Sequence, residues 1–272
     1  MSGYRLTYEG ISIFVDPYVS RVPLRALLLR RKALPDQSSI ARYLGAPGEV
    51  TGVLVGHTHF DHAVDAPALA RRFAAKAYGS ASLAHLMRLH GLGELAVEVV
   101  PHRAYEIGPF LVRFVPSRHS KLLFERKVPM DGELTCESLH GLVPTAYRCG
   151  TVWGIQIEVA GMTLYHQGSA DLDDEELRDE SVDVFLAGVA GRSVTPRYWE
   201  RILPRLDPRL IVPTHYDDFF APLGADEKFL RGVKLADVTD EVARVSGDAR
   251  VAALTRIDRP TTTAGPSTGV AL

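Results

Sequence analysis

The segment His57-Thr58-His59-Phe60-Asp61-His62 puts three imidazoles and a carboxylate within six positions, directly behind the apolar run Val53-Leu54-Val55-Gly56. Such a cluster costs a chain solubility and packing freedom unless something binds it, so this reads as a metal site at the end of a strand. Side chains alternate along an extended segment, so His57 and His59 point the same way and chelate one ion. Asp61 and His62 then turn away to serve a second. Borderline-soft ions such as Zn²⁺ take neutral imidazole nitrogen and carboxylate oxygen at roughly 2.0 to 2.2 Å, a reach that side chains this close supply without long loops. The alternative for any single histidine is a surface or satisfied core residue.

The 272-residue chain suits one large domain or two small ones and is long enough to bury a substantial core. Its 46% hydrophobic and 24% charged residues are those of a globular protein. The 31 Lys and Arg against 33 Asp and Glu give no reason to expect a polyanion partner such as nucleic acid. The start, Met1-Ser2-Gly3-Tyr4-Arg5, lacks a basic region followed by a long apolar stretch, and no run approaches the roughly 20 residues that span a bilayer. No signal peptide or transmembrane segment is expected. Cys136 and Cys149 are too few for a disulfide scaffold and lack a metal-binding spacing, so free thiols in a cytoplasmic protein are expected.

Alternating residues at Tyr4, Leu6 and Tyr8 and at Ile11, Ile13 and Val15, around Glu9-Gly10, predict a β-hairpin that Asp16-Pro17 ends. Residues 23–32 have helical spacing, an apolar stripe and four cations: a cover helix, a lid, or a surface for acidic lipid. Helices are predicted over 36–46, 66–76, 80–91, 172–179, 195–204 and 236–245. Strands are predicted over 51–55, 76–79, 96–100, 103–107, 110–115, 151–159, 163–166, 182–186 and 210–212. Two sets of strands with helices between and after them suggest two sheets packed face to face with helices outside. Residues 122–147 read as an irregular segment beside the site, and 259–272 as a disordered tail after a single domain over 1–258.

Further ligand candidates follow predicted strands: His119 beyond Phe110 to Val115, His215 beyond Ile211-Val212-Pro213-Thr214, and the segment Tyr165-His166-Gln167-Gly168-Ser169-Ala170-Asp171. With these in place the chain resembles the metallo-β-lactamase superfamily, in its broad branch of metal-dependent hydrolases. The likeness rests on His57-x-His59-x-Asp61-His62, then His119, the Gly168 loop and His215, and runs from about Gly3 to Val251. It implies an α/β fold, an αββα four-layer sandwich of two mixed sheets with the metal site at one edge. It also implies that His57, His59 and His119 bind one ion and Asp61, His62 and His215 another, with one or two Zn²⁺ (or Mn²⁺ or Fe) per chain. A hydroxide held there would attack the substrate, because a divalent cation lowers the pKa of water towards about 7. Asp61 would be catalytic as well, orienting that hydroxide or passing its proton on.

The chain departs from the pattern in one place. The family's bridging aspartate normally follows the loop glycine, and here Gly168 is followed by Ser169. Asp171, two residues on, either swings in as a further metal ligand or caps the helix expected at 172–179. Such proteins also usually carry one more strand before the one that leads into Asp-Pro, so the first hairpin is expected either to be shortened or to continue upstream. His166, Ser169 and His140 are candidate substrate-facing residues, with a hydrogen-bonded core histidine and an exposed loop histidine as the alternatives for His166 and His140. Asp217 or Asp218 could fix a histidine tautomer or sit in a solvated turn, and Asp65 could cap the helix at Pro67 or hold a ligand histidine. Trp153-Gly154 resembles a tryptophan-glycine strand of this branch, explained by core packing.

The expected function is hydrolysis of an ester, lactone or phosphodiester in a small-molecule or lipid-like substrate. The nearest groups in resemblance are the ascorbate-6-phosphate lactonases and the N-acyl-phosphatidylethanolamine phospholipases D. The alternatives are a metal- or ligand-binding protein without turnover, or a nuclease-type phosphodiesterase. A homo-oligomer is compatible with all of these.

Overall fold

The structure, a computed structural model, describes residues 2–121, 127–179, 181–224, 229–230 and 233–253. The expected tail at 259–272 lies outside the described residues. The chain opens with the predicted hairpin, β1 (Tyr4–Tyr8) and β2 (Ile11–Val15). Glu9 and Gly10 both have positive φ, 49° and 81°, the left-handed pair that gives a two-residue turn the twist of its strands. Short helices α1 (Leu24–Leu28) and α2 (Gln37–Leu44) lead into β3 (Glu49–Leu54). A helical turn α3 (Phe60–Ala63) and helix α4 (Ala66–Phe73) precede β4 (Lys76–Gly79), and α5 (Ala81–Leu89) precedes β5 (Ala96–Glu98). These strands form the first sheet, in the order β1-β2-β3-β4-β5, with only the hairpin antiparallel.

The second sheet holds β6 (Ala104–Ile107), β7 (Phe110–Ser117), β8 (Val152–Val159), β9 (Met162–Gln167), β10 (Val184–Gly188), β11 (Leu210–Thr214) and β12 (Arg250–Val251), side by side in the order β12-β11-β10-β9-β8-β7-β6. Strands β6 to β9 pair antiparallel and β9 to β12 parallel. Helices α6 (Tyr198–Leu206) and α7 (Ala236–Ala243) complete it.

Three apolar cores fix the layering. Leu6, Ile13, Val15 and Leu54 of the first sheet meet Val112, Phe114, Ile155, Ile157 and Leu186 of the second in one cluster, which is the sheet-on-sheet core. The other face of the first sheet packs Phe14, Val50 and Val53 on Ile40, Leu69, Leu83 and Leu86 of its helices. The other face of the second packs Tyr165, Phe185 and Ile211 on Trp199, Ile202, Leu206 and Val238. The result is the expected four-layer αββα sandwich. Gly52 shows how close the sheets come, since a Cβ there would stand 2.7 Å from a methyl of Ile107.

Two predicted helices change. The segment 172–179 forms turns, because Arg118, Arg201 and Arg205 bind its acidic side chains and hold them in place of a helical ladder. The stretch 23–32 is helical only over Leu24–Leu28. Among the described residues no helix is long and apolar enough to cross a membrane.

Candidate metal centre

The strands that point one way deliver their C-terminal ends to one edge of the sandwich. Asp16 follows β2, Gly56-His57 follows β3, His119 follows β7, Gly168-Ser169 follows β9 and His215 follows β11. Parallel strands gather side chains from distant sequence in this way. Within the cluster the backbone changes course at His59, which is still extended (φ −60°, ψ 151°) and whose carbonyl accepts the His62 and Ala63 N–H groups. His57 and His59 therefore stand on extended chain, and Asp61 and His62 on the helical turn.

The side chains form two triads, His57-His59-His119 and Asp61-His62-His215, the ligand atoms of each lying within 4.8 Å of one another. His57 Nε2 is 3.1 Å from His59 Nδ1, and Asp61 Oδ2 is 3.0 Å from His215 Nε2 and 3.4 Å from His62 Nε2. Two ligands of a tetrahedral ion bound at about 2.1 Å are about 3.4 Å apart, so these spacings suit a shared ion. The His57 and His62 rings, 3.9 Å between centroids, join the triads.

Tautomers support the same reading. His59 Nε2–H donates to the Pro129 carbonyl (2.8 Å), His119 Nδ1–H to the Ser120 carbonyl (2.8 Å) and His62 Nδ1–H to Asp16 Oδ2 (2.8 Å). In His59 and His119 the bond leaves the other ring nitrogen as a lone pair facing the site, and in His62 it turns Nε2 to the site, the arrangement that second partners impose on metal-binding histidines. Burial pushes His59 down to about 4 and His119 to about 3, and holds His57 well below its ordinary value. These imidazoles are neutral at pH 7, as ligands must be. Burial also opposes charge on the second triad and holds His215 below its ordinary value, but at His62 and Asp61 the neighbours prevail. Asp61 and Asp16 hold His62 up at about 10, and His62 and His215 hold Asp61 well below the carboxylate range. A proton on His62 thus takes the position a cation would fill.

Asp16, read in the sequence only as a strand terminator, is the second partner. Fully buried, it accepts the Gly56 N–H at Oδ1 (2.6 Å) and His62 at Oδ2. Its backbone is left-handed (φ 43°), as is that of His215 (φ 59°), a conformation that Asp and His adopt more readily than most residues and that recurs at functional sites. An Asp directly after a predicted strand and before Pro was the signal available. Aromatic residues wall the site: Tyr18 and Phe219 pack on Phe60 at 6.1 Å, Phe220 at 6.0 Å, and Phe219 stands edge-on to His215. Nothing in the spacing of 219 and 220 marked them.

Other candidates lie elsewhere. Asp171, expected as a possible ligand or cap, does neither: its Oδ1 takes Arg201 (3.0 Å) and the Leu172 N–H. Ser169 turns to the His119 loop, where its Oγ accepts the Ser120 N–H (3.0 Å). His166 is buried behind Asp16, 3.8 Å from Oδ2, and donates to the Ser2 carbonyl, the hydrogen-bonded core position that was the alternative for it. His140 is exposed on its loop. Asp217 pairs with Arg21 (2.9 Å), and Asp65 accepts the Val19 and Ser20 N–H groups without capping α4. Trp153 is a core residue, edge-on to Phe114.

Residues 1–215 match the family model described as a beta-lactamase superfamily domain. A protein named UPF0173 metal-dependent hydrolase, from Anaeromyxobacter dehalogenans (strain 2CP-1 / ATCC BAA-258), is 29% identical over 202 residues, 68% of this chain and 66% of that protein. Among solved structures, a metallo hydrolase from the archaeon Ignicoccus hospitalis KIN4/I shares the fold with a TM-score of 0.54 at 17% identity, covering 93% of this chain and 91% of that one. CmlA, a diiron β-hydroxylase from Streptomyces venezuelae, does so with a TM-score of 0.60 at 13% identity, covering 93% of this chain and 51% of that one. Fold and site define a class, the metal-dependent hydrolases of the metallo-β-lactamase fold. The chain belongs to the beta-lactamase superfamily domain family.

Proposed function

We propose that this chain hydrolyses an ester, lactone or phosphodiester bond at the two triads, with Zn²⁺ as the resident metal, one ion held firmly and a second weakly. The observation that carries the reading is the pair of converging triads whose histidine rings are oriented by Pro129, Ser120 and Asp16. Nitrogen-rich sites with a single carboxylate suit zinc. The diiron relative in fold makes iron the comparison to run. The weaker second ion is supported by Ser169, a neutral side chain engaged with Ser120, and by Asp171, engaged with Arg201.

When bound, the metal polarises the bond to be cleaved and acidifies water. The protein's own part is to orient and to move protons. Asp61, beside both histidines of its triad, would align the attacking water and hand its proton to the leaving group. Tyr18, Phe60, Phe219 and Phe220 would shield the reacting atoms from bulk water. A cytoplasmic location belongs to the same proposal, supported by the free Cys136 and Cys149.

The test is metal content by mass spectrometry together with turnover of bis-p-nitrophenyl phosphate, p-nitrophenyl acetate and a simple lactone. His59→Ala should abolish both tight binding and turnover. Full metal occupancy without turnover of any of the three would favour a binding protein and overturn the hydrolase reading.

A further inference from the structure

Among the described residues seven large apolar side chains are exposed, and four of them, Leu24, Leu28, Leu29 and Leu34, fall within eleven positions. Leu28 is 72% and Leu29 61% exposed. Arg25, Arg30, Arg31 and Lys32 are exposed among them, and no acidic residue occurs between Pro17 and Pro35. None of the four cations is ion-paired with a described residue.

The stretch is firmly built. Helix α1 ends with Arg30 in the left-handed conformation (φ 48°), and the Arg31 N–H returns to the Ala26 carbonyl (2.8 Å), a closed helix cap that usually needs glycine. Ala26 and Ala33 are buried in the core. The Ala33 N–H donates to Leu142 (2.8 Å), and Tyr147 Oη donates to the Ala33 carbonyl (2.7 Å). Both ends of the turn are thus fastened while its leucines project. The loop that leads into it borders the metal centre: Tyr18 packs on Phe60, and Arg21 holds Asp217, two residues past His215.

We propose that the Leu24–Leu34 turn docks on the headgroup layer of an anionic lipid bilayer, with Leu28 and Leu29 entering the interface and Arg25, Arg30, Arg31 and Lys32 meeting lipid phosphates. Apolar tips ringed by long cationic side chains, with no carboxylate among them, complement that surface. The longest acidic run that a second copy could offer is largely engaged within its own chain. The acidic run at 173–176 already binds Arg118, Arg201 and His102. The proposal stands independently of which bond the centre cleaves.

The experiment is co-sedimentation of the full chain with phosphatidylcholine vesicles and with vesicles containing a quarter phosphatidylglycerol. Each Lys or Arg near an anionic surface is worth roughly fivefold in affinity, so the anionic vesicles should be bound at least tenfold better. Leu28→Asp with Leu29→Asp, and separately Arg31→Glu with Lys32→Glu, should each lower that binding at least tenfold while the thermal midpoint is unchanged. If the double leucine variant loses stability, Leu28→Gln alone carries the same reading. Equal affinity for neutral and anionic vesicles, or binding that survives the leucine changes, overturns the proposal. So does a leucine variant that turns an oligomer into a monomer while neither form binds vesicles, which would make this face a contact between copies.

Discussion

Asp16 holds several parts of the centre with one carboxylate. It receives the Gly56 N–H, fixes the His62 tautomer and lies against Gly168, where a Cβ would come within 2.7 Å of Oδ2. Asp16→Asn keeps the shape but loses one acceptor, so it cannot serve both Gly56 and His62. Such second partners are worth about 10- to 100-fold in metal affinity. Calorimetric titration should show that loss for the weaker ion and little change for the ion on His57, His59 and His119. Equal weakening of both sites would show that Asp16 acts on the whole edge. Ser169 gives a complementary change. Ser169→Asp supplies a carboxylate where the resemblance expects one, and should raise the metal content of purified protein from about one ion towards two; an unchanged content would remove Ser169 as the reason for a weak second ion.

Between the ends of β2 and α4 the chain depends on one buried acid. Asp65 Oδ2 accepts the Val19 and Ser20 N–H groups and Oδ1 accepts the Ser20 hydroxyl, so a single side chain fastens the 17–20 loop to the first turn of α4. Removing it strands buried donors, each costing about 1–3 kcal/mol, so Asp65→Ala should lower stability by about 2–4 kcal/mol in urea unfolding. Burial pushes the Asp65 carboxyl up to about 6 against the pull of those donors. The folded state therefore binds a proton that the unfolded state releases between about pH 4 and 6, and stability from this group rises as pH falls through that window, by at most ~1.4 kcal/mol per pH unit. Asp65→Asn has no such proton. The stability difference should shift in favour of the natural protein between pH 6.5 and 4.5, and parallel curves would refute the assignment. Helical spacing and the alternation of β1, β2 and β7 made most elements legible beforehand. The exceptions were 172–179, where a run with acidic helix-start residues was claimed by arginines far along the chain, 23–32, helical only over Leu24–Leu28, and the two-residue β12, too short to carry a pattern.

At the scale of the molecule the metals are expected to act as staples, since each triad joins segments from separate strands, His119 from β7 to the β3 edge and His215 from β11 to α3. An ion present at about a thousand times its dissociation constant adds about 4 kcal/mol. For a chain of this size that is on the order of 10 °C. Chelation should lower the thermal midpoint by about that much, reversibly on adding Zn²⁺, and an unmoved midpoint would mean that the edge is held by protein contacts alone. His57, His59, Asp61 and His62 were legible because they are neighbours on one turn of chain, and His119 and His215 because each directly follows an apolar strand. The sequence by itself determined the layers and singled out the six candidate ligand residues, since the layers follow from local periodicity and the candidates from residue types that suit a bound cation when they stand together. Tertiary structure alone decided the rest: that Asp16 serves His62, that Asp171 goes to Arg201, that His166 lies in the core, and that Phe219 and Phe220 wall the site. Those are pairings between residues tens to hundreds of positions apart, and no local pattern records them; they exist only once the layers have packed.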